Sequence, residues 1–225
     1  MFTEHYGRGY SASPGAIYSE QFYVAQLALL LHKLGWTNAD FIGYSLGGGI
    51  LACFAALYPE MVNKALFIAP TGLMEKINPM AHITKIPILG PVLVHTIGRR
   101  MLIRITESNH KLKPSECKEL AHLIKLNGFM IKHHPGFIRS YFSTVLNFKF
   151  GNHDKAFAKI EKTHHNKTMV IWGSKDHVVP FYLSERLKKL MPSTKLVVKD
   201  EWGHSIVAEL PEYCAEHTIA FFSSE

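Results

Sequence analysis

Short apolar runs recur along this chain, each bounded by glycine, proline or charged residues, and their lengths suit strands better than helices. Ala39–Ile42, Ala65–Pro70, Thr168–Gly173 and Lys195–Lys199 are predicted as strands. After the first comes the Gly-rich turn Gly43-Tyr44-Ser45-Leu46-Gly47-Gly48-Gly49, then a helix of small residues through Ile50 to Tyr58. A closing helix is predicted over Pro211–Phe222. Between the second and third strands the pattern changes: residues 74–167 carry helical periodicity, broken by Pro79, Pro87, Pro91, Pro114 and Pro135. An insertion that long is a subdomain, not a loop. The expected division is therefore an α/β core made of residues 1–73 and 168–225, with a helical segment over residues 74–167.

The turn after the first strand has the form G-x-S-x-G between a strand and a helix, the context a nucleophile elbow requires. A serine on such a sharp turn presents its Oγ clear of its own backbone. Gly43 and Gly47 are expected to remove Cβ atoms that would clash where strand and helix crowd together. The Leu46 amide is aimed where a carbonyl oxygen would gain negative charge. The plainer alternative is a Gly-rich helix start packed on a sheet.

A nucleophilic serine needs a base, and the base needs an orienting acid. The chain offers them in the order Ser, Asp, His. Asp176 lies just past the third strand, where open α/β sheets place their working groups. His204 falls in the loop Asp200-Glu201-Trp202-Gly203-His204-Ser205 after the fourth strand. Asp154, Asp200 and Glu201 compete for the acid, though none follows a strand in the same way.

Four blocks together resemble the α/β-hydrolase superfamily, in its cap-bearing branch of esterases, lipases and related serine hydrolases. They are Tyr6-Gly7-Arg8-Gly9-Tyr10-Ser11, Gly43 to Gly49, Trp172 to Pro180, and Gly203-His204-Ser205. The resemblance implies a mostly parallel sheet flanked by helices, with residues 74–167 as a helical cap. It implies Ser45 as nucleophile, Asp176 as the acid, His204 as general base, Leu46 as an oxyanion donor, and no cofactor. A serine at the elbow argues against the dehalogenase and epoxide-hydrolase members, which attack with a carboxylate. Hydrolysis of carboxylic esters, small-molecule or lipid, is the leading expectation. The alternatives are an acyltransferase or carbon–carbon bond hydrolase using the same triad, and an inactive remnant that binds lipid or protein.

The chain departs from that family at its start. The Gly-Arg-Gly-Tyr-Ser block normally follows the fourth strand, yet here only Met1 to Tyr6 precede it. The expectation is an N-terminally truncated form of a longer catalytic parent. It would lack the strand beside the elbow strand and the loop that supplies a second oxyanion amide. Ala39–Ile42 would then have an unpaired edge, and losing one donor would cost on the order of 10²–10³ in kcat.

Charge sharpens the contrast between the two regions. Residues 74–167 hold 16 Lys and Arg against 6 Asp and Glu, in a chain of net charge +7, so the remainder is net negative. Within that basic segment Ile86–Gly98 is apolar and leads into Arg99 and Arg100. It is too short and too Pro-interrupted to span a bilayer. It is expected either to face the cap's core or to lie on a membrane surface with Arg99, Arg100 and Arg104 near anionic headgroups. No nucleic-acid-binding motif accompanies the charge.

Other residue types add little. The three cysteines, Cys53, Cys117 and Cys214, form neither a disulfide framework nor a zinc pattern. Among 14 histidines, the pairs His133-His134 and His164-His165 sit in polar, loop-like sequence and diverge in any regular element, so no metal site is expected. Met1–Ser11 has no apolar core of a signal peptide, which makes an intracellular, cytoplasmic location the default.

Overall fold

The computed structural model describes residues 1, 3–75, 98–108 and 110–224. Four strands lie side by side in chain order: β1 (Ala39–Tyr44), β2 (Val62–Ile68), β3 (Thr168–Gly173) and β4 (Lys195–Lys199). Every pairing is parallel. In register, Tyr44 stands opposite Ile68, Ile68 opposite Ile171, and Gly173 opposite Lys199. The carboxyl ends of all four strands therefore share one edge.

Parallel neighbours need crossovers, which helices supply. In chain order the described helices are α1 (Glu20–Leu34), α2 (Leu46–Leu57), α3 (Arg99–Ser108), α4 (Lys118–His133), α5 (Phe137–Asn147), α6 (Asp154–Thr163), α7 (Leu183–Leu190), α8 (Ile206–Glu209) and α9 (Pro211–Ser223). Side chains alternate across the sheet. Leu66, Ile68, Met169 and Ile171 pack with Ile206, Cys214 and Phe221 from α8 and α9. Phe67, between the first two in sequence, meets Phe157 of α6 on the other face, with ring centroids 5.9 Å apart. Helices thus cover both faces, and β3 is buried along its whole length, as a strand inside a parallel sheet should be. Each fully buried Leu, Ile or Phe contributes about 1.5–3 kcal/mol. At one end of the sheet, β1 alternates instead and leaves Ile42 exposed.

The chain forms two compact units, Met1–Gln26 with Ile77–Lys149, and Leu27–Lys76 with Phe150–Glu225. The sheet and α6 to α9 belong to the second. In the first, Leu102, Met130, Ile131, Phe137, Ile138 and Phe142 form an apolar cluster among α3, α4 and α5. Arg8 fastens the N-terminal segment there: its guanidinium donates to the Gly7 carbonyl and to the hydroxyls of Ser140 and Thr144. It also lies 5.5 Å from the ring centroids of Phe137 and Tyr141, a cation–π arrangement.

The four strands fall where the sequence expectations put them, with shifted ends in two; β1 runs on to Tyr44 instead of stopping at Ile42. β2 begins at Val62 and stops at Ile68, because Ala69 turns to φ 41° and carries the chain away from the sheet. α1 has no counterpart among the expected elements: its sequence EQFYVAQLALLLHKL is apolar on most faces, so it shows little helical periodicity. The apolar run Ile86–Gly98 lies outside the described residues except for Gly98. Among the described residues, no helix is long and apolar enough to cross a membrane.

Candidate active site

Ser45 sits between β1 and α2 at φ 51° and ψ −117°, a conformation that costs an L-residue about 1–3 kcal/mol. Its surroundings enforce it. The Ser45 amide donates to the Ile68 carbonyl at 2.9 Å, and its own carbonyl accepts the amides of Gly48 and Thr71 at 3.0 Å each. A Cβ on Gly43 would lie 2.7 Å from the Gly47 carbonyl oxygen and 2.8 Å from the Gly48 Cα. One on Gly48 would lie 2.6 Å from the Pro70 Cβ. A Cβ on Gly47 would meet nothing within 4 Å. The close-packed glycines are therefore Gly43 and Gly48, not the expected pair Gly43 and Gly47, because residue 47 faces away from the strand.

Asp176 follows β3 by three residues, and its side chain is fully buried. One carboxylate oxygen, Oδ1, accepts the amides of Val178 and Val179 at 2.9 Å each. That turn is braced by the indole N–H of Trp172, which donates to the Val179 carbonyl at 3.1 Å. The other oxygen, Oδ2, lies 2.8 Å from Nδ1 of His204. A carboxylate can only accept, so Nδ1 carries the proton and Nε2 is left as an acceptor. That Nε2 stands 2.9 Å from Ser45 Oγ, and the serine hydroxyl donates to it.

The loop bearing His204 is fixed at several points. The Lys175 amide donates to the Trp202 carbonyl at 2.8 Å. A side chain at Gly173 would run into that same carbonyl, so the strand end and the histidine loop need glycine there to approach each other. Tyr44, immediately before the serine, donates its hydroxyl to the His204 carbonyl at 2.9 Å. Its ring stacks on the imidazole, with centroids 5.2 Å apart at 30°. Burial of its hydroxyl end, then the charge of Asp176, hold the Tyr44 phenol well above its ordinary range, so it remains a donor.

Ser45, His204 and Asp176 are thus brought together, while the competing acids are engaged elsewhere. Asp154 pairs with Arg186 through bonds of 2.8 and 2.9 Å. Asp200 accepts the Ser174 hydroxyl at 2.6 Å, and Glu201 lies 3.4 Å from the Lys175 ammonium. Leu46 opens α2, a position whose amide has no carbonyl partner in a preceding helical turn. His164 lies in the bend that follows α6, and it is buried, with Nε2 3.0 Å from the Val62 carbonyl. Among the described residues no three His, Cys, Asp or Glu side chains converge as metal ligands.

Sequence reasoning missed Tyr44, the amides of Val178 and Val179, and the Trp172 brace. Only the position of Tyr44 beside the serine hinted at a role. Its partner is 160 residues away, and nothing local signals such a pairing.

Comparison with known proteins agrees with this architecture. Residues 4–211 match the family model described as alpha/beta hydrolase fold. The chain is 24% identical over 206 residues to the uncharacterized hydrolase YugF of Bacillus subtilis, covering 91% of this chain and 72% of that protein. It is 24% identical over 217 residues to the mouse monoacylglycerol lipase ABHD6, covering 85% of this chain and 57% of that one. Among solved structures, a meta-cleavage product hydrolase from Pseudomonas fluorescens IP01 superposes with a TM-score of 0.73 at 21% identity, over 97% of this chain and 77% of that one. The enol-lactonase from Burkholderia xenovorans LB400 gives 0.75 at 17%, over 98% and 79%. At such identities the structures speak for the fold alone. The parallel sheet with helices on both faces and the strained turn at Ser45 fit that match over most of the sequence, and the chain belongs to the alpha/beta hydrolase fold family.

Proposed function

We propose that this protein hydrolyses carboxylic esters, of small molecules or lipids, through an acyl-enzyme on Ser45. The observation that carries the proposal is the continuous relay from Asp176 Oδ2 through both nitrogens of His204 to Ser45 Oγ, in steps of 2.8 and 2.9 Å. Those lengths lie within the reach that proton transfer requires. His204 takes the hydroxyl proton as Oγ attacks the ester carbonyl, and the Leu46 amide donates to the oxyanion that forms. His204 then protonates the departing alcohol. Water, activated by the same nitrogen, releases the acid and frees the serine. Asp176 holds the tautomer and stabilises the imidazolium; its own hydrogen bonds to Val178 and Val179 keep it from turning away. The lipid side of the proposal draws support from the relatives described as monoacylglycerol lipases.

A fluorophosphonate probe tests it. The parent chain should be labelled, and Ser45→Ala should not. Labelling that survives the substitution removes Ser45 as nucleophile. Release of free acid from an ester supports hydrolysis, whereas a new ester as product would point to acyl transfer.

A further inference from the structure

The outer side of α4 carries a pattern that the ester chemistry does not use. Lys118, His122, Lys125, Phe129, Lys132 and His133 are all exposed. At about 100° per residue they fall within an arc of roughly 100° on the helix surface. The opposite side buries Leu120, Met130 and Ile131, so the helix is anchored by one face and presents the other. None of the three lysine ammonium groups is paired with a carboxylate among the described residues. Glu119, the acidic residue nearest in sequence, lies at the edge of the arc. Phe129 stands in the middle of this cationic stripe with 54% of its surface exposed, its ring tilted on that of His133 at 4.8 Å between centroids.

Two physical costs coincide on this face. Like charges along one stripe repel one another, and an aromatic ring is left in water. Each cost alone is ordinary for a surface helix. A single partner relieves both: a surface that is anionic at headgroup depth and apolar just beneath. An acidic protein or a nucleic acid would answer the charge. Neither has the apolar layer, set at one depth along the whole length of the helix, that a ring flanked by lysines would enter.

We infer that the exposed face of α4 docks on an anionic lipid bilayer, with Lys118, Lys125 and Lys132 among the headgroups and Phe129 inserted between them. The contact is independent of Ser45 and goes beyond the ester chemistry. It needs neither the apolar run Ile86–Gly98 nor Arg99, Arg100 and Arg104, which the sequence offered for a membrane surface.

The test is sedimentation of the full chain with phosphatidylcholine vesicles and with vesicles containing 30% phosphatidylserine, at low and high salt. The parent should bind the anionic vesicles preferentially and lose binding as salt rises. The triple variant Lys118→Gln, Lys125→Gln, Lys132→Gln should bind about a hundredfold more weakly, on roughly one factor of five per lysine. Phe129→Ala should weaken binding severalfold with its salt dependence unchanged. All four positions are exposed, and circular dichroism on each variant is run to check its fold. Equal binding to both vesicle types overturns the inference. So does a triple variant that binds like the parent, or retention on an acidic peptide or polynucleotide column without vesicle binding. Probe labelling of Ser45, run in parallel, separates these failures from failure of the hydrolase proposal.

Discussion

The carboxylate of Asp176 has no exposed surface and accepts three hydrogen bonds, whereas the ammonium groups along α4 face outward with no carboxylate beside them among the described residues. Both are charges held on a packed scaffold, yet the two settings are physically opposite. In the sheet unit the charge is desolvated, so its position is dictated by donors that would be costly to leave unpaired. On α4 each charge keeps its water, and its position is dictated only by the helix repeat. The difference teaches where substitutions should be felt. Changes around Asp176 alter chemistry or stability, while changes on α4 leave the fold alone and alter only what the surface meets.

The sharpest way to break that contrast is Asp176→Asn. The side chain keeps its shape but places an amide where the carboxylate accepts the His204 Nδ1 proton at 2.8 Å. Turnover should fall by about 10³–10⁴-fold, with the melting temperature far less affected. Ester hydrolysis within tenfold of the parent would show that Asp176 does not orient the imidazole.

Next in size are the elbow glycines. Gly48→Ala drives a Cβ against Pro70 and should cost about 1–3 kcal/mol, lowering the melting temperature by roughly 2–10 °C. Gly47→Ala, with open space around it, should melt no lower than the parent, because Ala is the better helix former. Equal losses at the two positions would mean that close packing is not what distinguishes them.

Tyr44→Phe is a smaller perturbation. It keeps the ring on His204 and deletes one hydrogen bond, worth about 1 kcal/mol. Acylation by a fluorophosphonate should slow by about fivefold, and an unchanged rate would show that the hydroxyl does not help to position the histidine loop.

The smallest effect concerns alkaline stability. Burial raises the Cys214 thiol from 9.0 to about 11, so the folded chain holds a proton that the unfolded chain releases first. The stability this contributes is complete below pH 9 and is lost as pH rises from 9 to about 11. Urea midpoints at pH 8.5 and 10.5 should drop further for the parent than for Cys214→Ala. Parallel drops would acquit the thiol.

Much of the sheet could be read from the chain, because apolar runs of strand length are local signals. The Thr168–Gly173 and Lys195–Lys199 strands needed no knowledge of their neighbours. The three residues of the relay were also legible, since each follows a strand end and parallel topology gathers such ends at one edge. What stayed hidden was contact between distant segments. The clash that makes Gly48 matter involves Pro70, beyond the helix that contains it, and the hydroxyl of Tyr44 reaches a loop that only the folded sheet brings near. α1 was hidden for another reason: a helix apolar on most sides leaves no periodic trace.

The backbone angles of Ser45 carry one more consequence. That geometry suits glycine, the single residue with no Cβ to object. A Ser45→Gly chain should therefore melt above the parent while losing the proposed nucleophile, so that conformational ease and the proposed reactivity compete for one position. A melting point that stayed level would indicate that the tight turn costs the molecule nothing.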